Sequence, residues 1–135
     1  MVYGPFSLVG ATAAELNFRL WLNSGLNFDF VCRMASVNGT NFYGACTSGS
    51  TGAWIDRTLD LSSVPTLGNL LGQLDVWIAL IFASDGSVTR SEGGYVDNIV
   101  LRKCTSGTCT GLNVPTPALE PGQIVEFQAA RTRPR

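Results

Sequence analysis

The sequence predicts an all-β fold, a jelly-roll-like antiparallel β-sandwich held by two disulfides. Short segments alternate between apolar and polar residues with a period of two, as strands do when one face is buried. Glycine, proline, serine and asparagine separate these segments, and no segment shows a convincing helical period. Four cysteines complete the pattern, and they fall as two pairs around two predicted hairpin turns.

Residues 15–23 give the clearest strand pattern, because one set of alternate residues is apolar and the other is polar apart from one tryptophan. The apolar set is Leu16, Phe18, Leu20 and Leu22, and the opposite set is Asn17, Arg19, Trp21 and Asn23. Further strands are predicted over residues 28–37, 41–47, 54–61, 75–83, 95–103 and 122–129. Residues 75–83 are almost continuously apolar, which predicts a strand covered on both faces with Trp77 in the core.

The length of 135 residues fits one domain with a real core. We predict a single β-sandwich domain over residues 1–129 and a flexible C-terminal tail over residues 130–135. No apolar run approaches the roughly 20 residues that a membrane-spanning helix requires, so no membrane span is predicted. The residues after Met1 lack the charged and apolar regions of a signal peptide, so an exported domain is expected to come from a larger precursor.

Composition and charge exclude several functions. The chain contains no histidine, which rules out histidine-dependent nucleophilic catalysis, histidine-ligated zinc and a histidine pH switch. Residues 1–128 carry six basic and ten acidic side chains, a balance of −4. A body of this sign has no electrostatic footprint for nucleic acid, so no nucleic-acid partner is predicted.

Hairpin register predicts the disulfide pairing. A two-residue Ser-Gly turn places Cys104 opposite Cys109 in a non-hydrogen-bonded pair, where α-carbons lie about 4.5 Å apart. A three-residue Asn-Gly-Thr loop places Cys32 opposite Cys46, whereas a two-residue loop would place Cys32 opposite Ala45. The alternatives are four reduced cysteines in a cytosolic protein and, less favoured, zinc, since the spacings give no ribbon-like ligand set. Disulfides would indicate an oxidising compartment and a secreted or cell-surface protein.

A set of short motifs resembles a known family. The motifs occupy residues 4–8, 14–21, 28–31, 36–40, 52–54, 59–61, 76–79, 82–85 and 93–99. In their order and spacing they resemble the jelly-roll accessory domains of secreted bacterial proteins, such as those attached to immune inhibitor A-like metalloproteases, and more distantly MAM-type β-sandwiches. The resemblance implies an extracellular, non-catalytic module beside a protease or other hydrolase. It covers about residues 4–102, and residues 104–135 have no counterpart in it.

Oxygen-bearing side chains concentrate around one loop and the strand after it. They are Asp85, Ser87, Thr89, Glu92, Asp97 and Asn98. Calcium prefers six to eight oxygen ligands, so we predict a structural calcium ion with Asp85 and Asp97 among its ligands. Turn polarity, and capping of neighbouring backbone amides by Asp97, explain the same residues without a metal.

Aromatic residues on polar strand faces supply the candidate ligand site. An indole flanked by polar groups can stack on a sugar ring, and Trp21 has such a setting. We predict a ligand-binding site formed by Trp21, Arg19, Tyr43 and Trp54. The alternatives are that Trp21 packs under a loop or against the opposing sheet, and that Trp54 is a core residue at the start of a strand.

These residues predict a non-catalytic extracellular binding or accessory module. Its expected partner is a carbohydrate, a cell-surface polymer or a domain of the parent protein. The alternative is a structural or assembly domain that packs against a parent secreted protease or self-associates by pairing edge strands with neighbouring subunits. An enzyme is not predicted, because nothing in the spacing of Asp29, Asp56, Asp60 and Asp75 brings two carboxylates together.

Overall fold

Two four-stranded antiparallel sheets form the described part of the protein. The computed structural model describes residues 1–85, 93–106 and 108–113, and within these ranges it contains eight strands and no helix. The strands are β1 (Val2–Phe6), β2 (Ala13–Asn23), β3 (Asp29–Ser36), β4 (Tyr43–Ser48), β5 (Ile55–Asp60), β6 (Val76–Ser84), β7 (Gly93–Thr105) and β8 (Thr108–Asn113).

The chain crosses between the sheets at almost every connection. Sheet A has the strand order β1-β6-β3-β4, and sheet B has the order β5-β2-β7-β8. Only the hairpins β3–β4 and β7–β8 stay within one sheet, and every other connection between these strands passes to the opposite sheet. This arrangement is a jelly-roll-like sandwich, which confirms the predicted fold class.

The core lies between the inner faces of the two sheets. In β2 the alternation is as predicted, and Leu16, Leu20 and Leu22 are fully buried. Val76, Ile78 and Leu80 of β6 enter the same apolar cluster from sheet A. Burying each such side chain contributes about 1.5–3 kcal/mol, so the period-two pattern decides which face of each sheet turns inward.

Both predicted disulfides form. Cys32 is directly opposite Cys46 in the β3–β4 pair, and Cys104 is directly opposite Cys109 in the β7–β8 pair. The β3–β4 connection spans residues 37–42, longer than the predicted three-residue loop, yet the register is the predicted one. The side-chain oxygen of Asn38, Oδ1, holds this loop by accepting hydrogen bonds from the N–H groups of Thr40 and Asn41. The disulfides indicate an oxidising environment for the folded chain.

Strand β1 is absent from the sequence-based prediction. Its sequence contains Gly4-Pro5, and both residue types disfavour strand interiors. The structure places β1 at the edge of sheet A, where a missing N–H donor is tolerated, and its register with β6 shifts between Tyr3 and Phe6. The predicted strand at 122–129 and the predicted tail at 130–135 lie outside the described residues.

The outer face of sheet A is apolar and only partly covered. Its side chains include Phe30, Cys32, Met34, Trp77, Ala79, Ile81 and Ala83, here called the apolar face. Trp77 lies on this face rather than in the core, and its ring is close to the backbone of Gly4 and Gly39. Towards the other end of β6, Ile81 is 38% exposed and Ala83 is also exposed. The prediction that residues 75–83 are covered on both faces is therefore wrong at that end.

Candidate functional site

The outer face of sheet B carries the residues with the most binding chemistry. Because the apolar residues of β2 point inward, the alternate residues Glu15, Asn17, Arg19 and Trp21 point outward. Neighbouring strands β5 and β7 pair with β2 on either side, and they bring further polar and aromatic groups to the same face. This face combines a cluster of aromatic side chains with a polar groove.

Trp21 and Tyr95 occupy directly opposite positions on β2 and β7. Their ring centroids are 5.5 Å apart and the rings are tilted by 57°. Tyr95 is only 8% exposed, whereas Trp21 is half-buried. Tyr95 therefore supports the indole from the side, and Trp21 keeps part of its surface towards solvent.

Arg19 of β2 contacts Trp54, the second tryptophan of this face. Its guanidinium carbon is 5.8 Å from the centroid of the Trp54 ring, within the range of a cation–π contact. Its Nε is also 3.6 Å from Asp56 Oδ1, and the two side chains are 43% and 91% exposed. A pair this exposed adds about 0–1 kcal/mol to stability, so its main effect is to orient the guanidinium on the indole. Trp54 is half-buried beside the start of β5.

A polar groove of about 420 Å³ lies next to these rings. Its polar lining residues are Glu15, Asn17, Arg19, Asp56, Arg57, Asn98 and Arg102. The Asn17 Nδ2 donates a hydrogen bond of 2.9 Å to Glu15 Oε1, which also lies 3.4 Å from Arg102 Nη1. The Thr58 hydroxyl donates to Asn17 Oδ1 at 2.7 Å. This network fixes the positions of these donors and acceptors along the groove.

A β-bulge in β7 shapes the groove. The register between β2 and β7 shifts between Asn17 and Arg19, so two β7 residues face one β2 residue. As a result, Asp97 and Asn98 both lie on the outer side, while Ile99 returns to the core. Asn98 adopts a left-handed conformation with φ of 50°, and its N–H donates to Asp97 Oδ1 at 2.8 Å.

Three of the four predicted ligand-binding residues share this face. The structure brings Arg19, Trp21 and Trp54 together, whereas Tyr43 lies in β4 of sheet A, opposite Ala35. Sequence reasoning missed Tyr95 and the groove residues. The period of β7 places Tyr95 and Asp97 on one face, but assigning that face requires knowing that β7 pairs with β2. The ligand-binding role of these residues stays a prediction.

The predicted calcium ligands fall on different sheets. Asp85 follows β6 of sheet A, and Asp97 lies on the outer side of β7 in sheet B. Across residues 1–85, 93–106 and 108–113 no group of three or more acidic or cysteine side chains is placed to hold a metal ion. Ser87, Thr89 and Glu92 lie outside the described residues, so the calcium site stays a prediction.

Asp29 closes the connection between β2 and β3. It is 4% exposed, and its Oδ2 accepts a hydrogen bond of 3.1 Å from the Gly25 N–H. A hydrogen bond from the Ser84 hydroxyl, the Gly25 N–H and the Asp85 N–H lower the pKa of Asp29, while burial opposes them. Its carboxylate thus ties the start of β3 to the end of β6.

The groove contains two carboxylates, Glu15 and Asp56, in positions unlike a glycosidase pair. Asp56 is paired with Arg19, four residues along β2 from Glu15. At about 3.3 Å per residue, this offset alone separates the two by about 13 Å, beyond the 5–9.5 Å that glycosidases use. Each carboxylate is also close to an arginine. Asp60 has a turn role instead, because its Oδ1 accepts hydrogen bonds from the N–H and the hydroxyl of Ser62.

Together these features define a disulfide-bonded jelly-roll-like sandwich with an aromatic and polar outer face. No protein-family model, curated protein or solved structure matches the chain. The resemblance to the accessory domains of immune inhibitor A-like proteases therefore stays a prediction from its residues. Within the described part of the chain, no helix has the length and apolarity to cross a membrane.

Proposed function

We propose that this chain is a non-catalytic carbohydrate-binding module that works outside the cell, secreted or at the cell surface, beside a hydrolase of its parent protein. The observation that carries the proposal is the placement of Trp21 and Trp54 on one sheet face, with Arg19 over the Trp54 ring and the polar groove beside Arg19. The two disulfides support the extracellular part of the proposal.

Carbohydrate is the ligand class that fits both the aromatic side chains and the polar groove of this face. A sugar ring has an apolar side that stacks on an indole and hydroxyl groups around its edge. Trp21 supplies a supported indole, and Glu15, Asn17 and Arg102 supply fixed acceptors and donors. The groove volume of about 420 Å³ lies within the usual range for small-ligand sites.

Binding to a panel of polysaccharides, measured by affinity electrophoresis and calorimetry, tests the proposal. We expect Trp21→Ala to weaken binding at least tenfold, because it removes the stacking surface. Tyr43→Ala is the matched control, since it removes a partly exposed tyrosine from the other sheet. No binding to any glycan by the wild-type protein, or equal loss in both variants, would overturn the proposal.

The second candidate is an assembly role, which the apolar face of sheet A favours. None of its described residues is charged, in contrast to the outer face of sheet B. The strands of sheet A are 5, 9, 8 and 6 residues long. At about 4.8 Å between strands and about 3.3 Å per residue they span about 450 Å² per copy. Two copies packed face to face would bury about 900 Å², close to the lower limit of about 1,000 Å² for a specific interface. We take a second copy of this chain as the occupant, because an uncharged apolar face can pack against the same face of another copy.

Sedimentation of the wild-type protein and of Ile81→Lys distinguishes the two candidates. An assembly role predicts a dimer at micromolar concentration that the lysine converts to a monomer, because a buried unpaired charge is costly. Ser50→Lys places the same charge on an exposed loop residue and serves as the control. A wild-type monomer at all concentrations would remove this candidate and leave carbohydrate binding untouched.

A further inference from the structure

Two half-buried arginines point between the two sheets at the edge where strands β4 and β5 face each other. Arg33 belongs to the inward-facing series of β3, between Val31 and Ala35. Arg57 is opposite the inward-facing Phe18 in the β5–β2 pair. The core cluster of the described residues is apolar, so two guanidinium groups beside it are unusual.

Each guanidinium is held by the opposite sheet. The Arg33 Nε donates to the Thr58 carbonyl oxygen of β5 at 2.9 Å. The Arg57 Nε donates to the Thr47 hydroxyl of β4 at 3.4 Å, and its Nη1 donates to the Asp56 carbonyl oxygen at 3.0 Å. These bonds use the Nε atoms and one terminal nitrogen, and they fix the direction of the other terminal nitrogens.

No acidic side chain neutralises the pair among the described residues. The salt bridges there join Arg19 to Asp56 and Arg102 to Glu15, and neither involves Arg33 or Arg57. Because β5 alternates, its aspartates point to the outer face of sheet B and away from the pair. Burial, and then repulsion from Arg57, lower the pKa of Arg33. Two neighbouring positive charges without an acidic partner favour the binding of an anion.

We propose that Arg33 and Arg57 form a binding site for an oxyanion, such as the sulfate or carboxylate group of an acidic glycan. The free terminal N–H groups of two guanidinium groups suit the oxygens of such an ion, in short charge-assisted hydrogen bonds. Arg57 belongs to edge strand β5 and is also among the residues that line the polar groove, so this site and the groove are neighbours at that edge. The proposal does not depend on the carbohydrate function, because a free inorganic anion would occupy the same groups.

Thermal unfolding in sodium sulfate, compared with sodium chloride at equal ionic strength, tests the site. Sulfate stabilises most proteins in proportion to its concentration, whereas a specific site gives an additional rise in Tm that saturates. For the wild-type protein we expect Tm to rise by several additional degrees and then to level off as sulfate increases. For Arg57→Gln we expect only the rise that is proportional to the sulfate concentration. The control is Lys103→Gln, which removes a basic side chain of β7 that donates to the Ser7 carbonyl oxygen, and which should keep the levelling rise in Tm.

Direct titration keeps the test valid if Arg57→Gln folds poorly. Calorimetric titration of the wild-type protein with sulfate should show saturable binding that Arg33→Gln weakens at least tenfold. No saturable binding, or equal binding by the arginine variants and the wild type, would overturn the proposal. Competition with a sulfated and with a neutral dextran then identifies the source of the anion. Displacement of sulfate by the sulfated polymer alone indicates a glycan, and no displacement indicates a small free anion.

Discussion

The rings of Trp21 and Tyr95 lie directly opposite each other on β2 and β7, with their centroids 5.5 Å apart. Tyr95 is nearly buried, so it fixes the orientation of the indole without offering a surface of its own. We expect Tyr95→Ala to weaken glycan binding about tenfold by loosening Trp21, while Tyr95→Phe keeps the ring and most of the affinity. Calorimetry measures the glycan affinity of both variants. If Tyr95→Phe loses as much affinity as Tyr95→Ala, the ring does not have a supporting role.

Gly44 in β4 lies against the β3 backbone. A Cβ atom added there would collide with the Arg33 carbonyl oxygen and lie 2.7 Å from the Met34 Cα. We expect Gly44→Ala to lower the free energy of unfolding by about 3 kcal/mol, because backbone atoms cannot move aside as side chains can. Gly52→Ala is the comparison, since its Cβ meets nothing but its φ of +68° is unfavourable, and it should cost about 1 kcal/mol. Urea unfolding measures the free energy of unfolding of both variants. Equal losses in the two would show that the β4 backbone moves to make room for the added Cβ.

Removing the disulfides should destabilise the protein unequally. Cys32 and Cys46 are 14 residues apart in sequence, and Cys104 and Cys109 are 5 apart. The chain-entropy argument gives about 3 kcal/mol for the longer loop and about 2 kcal/mol for the shorter one. Urea unfolding of the Cys32→Ala/Cys46→Ala and Cys104→Ala/Cys109→Ala variants measures both, and a larger loss in the second variant would contradict the loop-length argument.

Asp29 should make stability depend on pH in the acid range. Its pKa is lowered from the ordinary value of 3.8 by the Ser84 hydroxyl and the Gly25 and Asp85 N–H groups, so the folded state binds its proton less readily than the unfolded state. Its stabilisation is therefore complete above pH 3.8 and is lost as the pH falls through the lower folded-state pKa. We expect Asp29→Asn to be less stable than the wild type at neutral pH and the difference to shrink in strong acid. A difference that stays constant from pH 7 to pH 2 would assign the effect to packing alone.

The calcium prediction is tested by thermal unfolding with calcium and with EDTA. An ion bound only by the folded protein raises Tm with its concentration, so calcium bound by Asp85 and Asp97 should raise Tm above the value in EDTA. Asp97→Asn should abolish that rise, whereas Asp56→Asn, which changes another exposed carboxylate, should keep it. Equal Tm values in calcium and EDTA would show that Asp85 and Asp97 are polar residues of a turn and a strand and do not bind calcium.

The features that sequence reasoning predicted correctly are local ones. The alternation in β2 and the opposite positions of Cys32 and Cys46 depend on a period of two and on a short connection, and both can be read from neighbouring residues. The β3–β4 loop is longer than the three residues predicted, yet Cys32 still faces Cys46 as predicted.

The features that it missed depend on which strands become neighbours. Tyr95 supports Trp21 only because β7 pairs with β2, and Arg33 meets Arg57 only because sheet A packs over sheet B. The bulge at Asn98 arises from a mismatch between two strands that are far apart in sequence. Tyr43 was grouped with Trp21 by residue type, and the two sheets separate them.

Strand β2 has partners on both sides, β5 and β7, and its inner face contributes several fully buried leucines. Its amide protons should therefore exchange with solvent only when the whole domain unfolds, and they should be the slowest in the protein. Trp21 and Arg19 project from this strand and not from a loop. Recognition on this face therefore begins from an already ordered scaffold, so little conformational entropy is lost when a ligand binds.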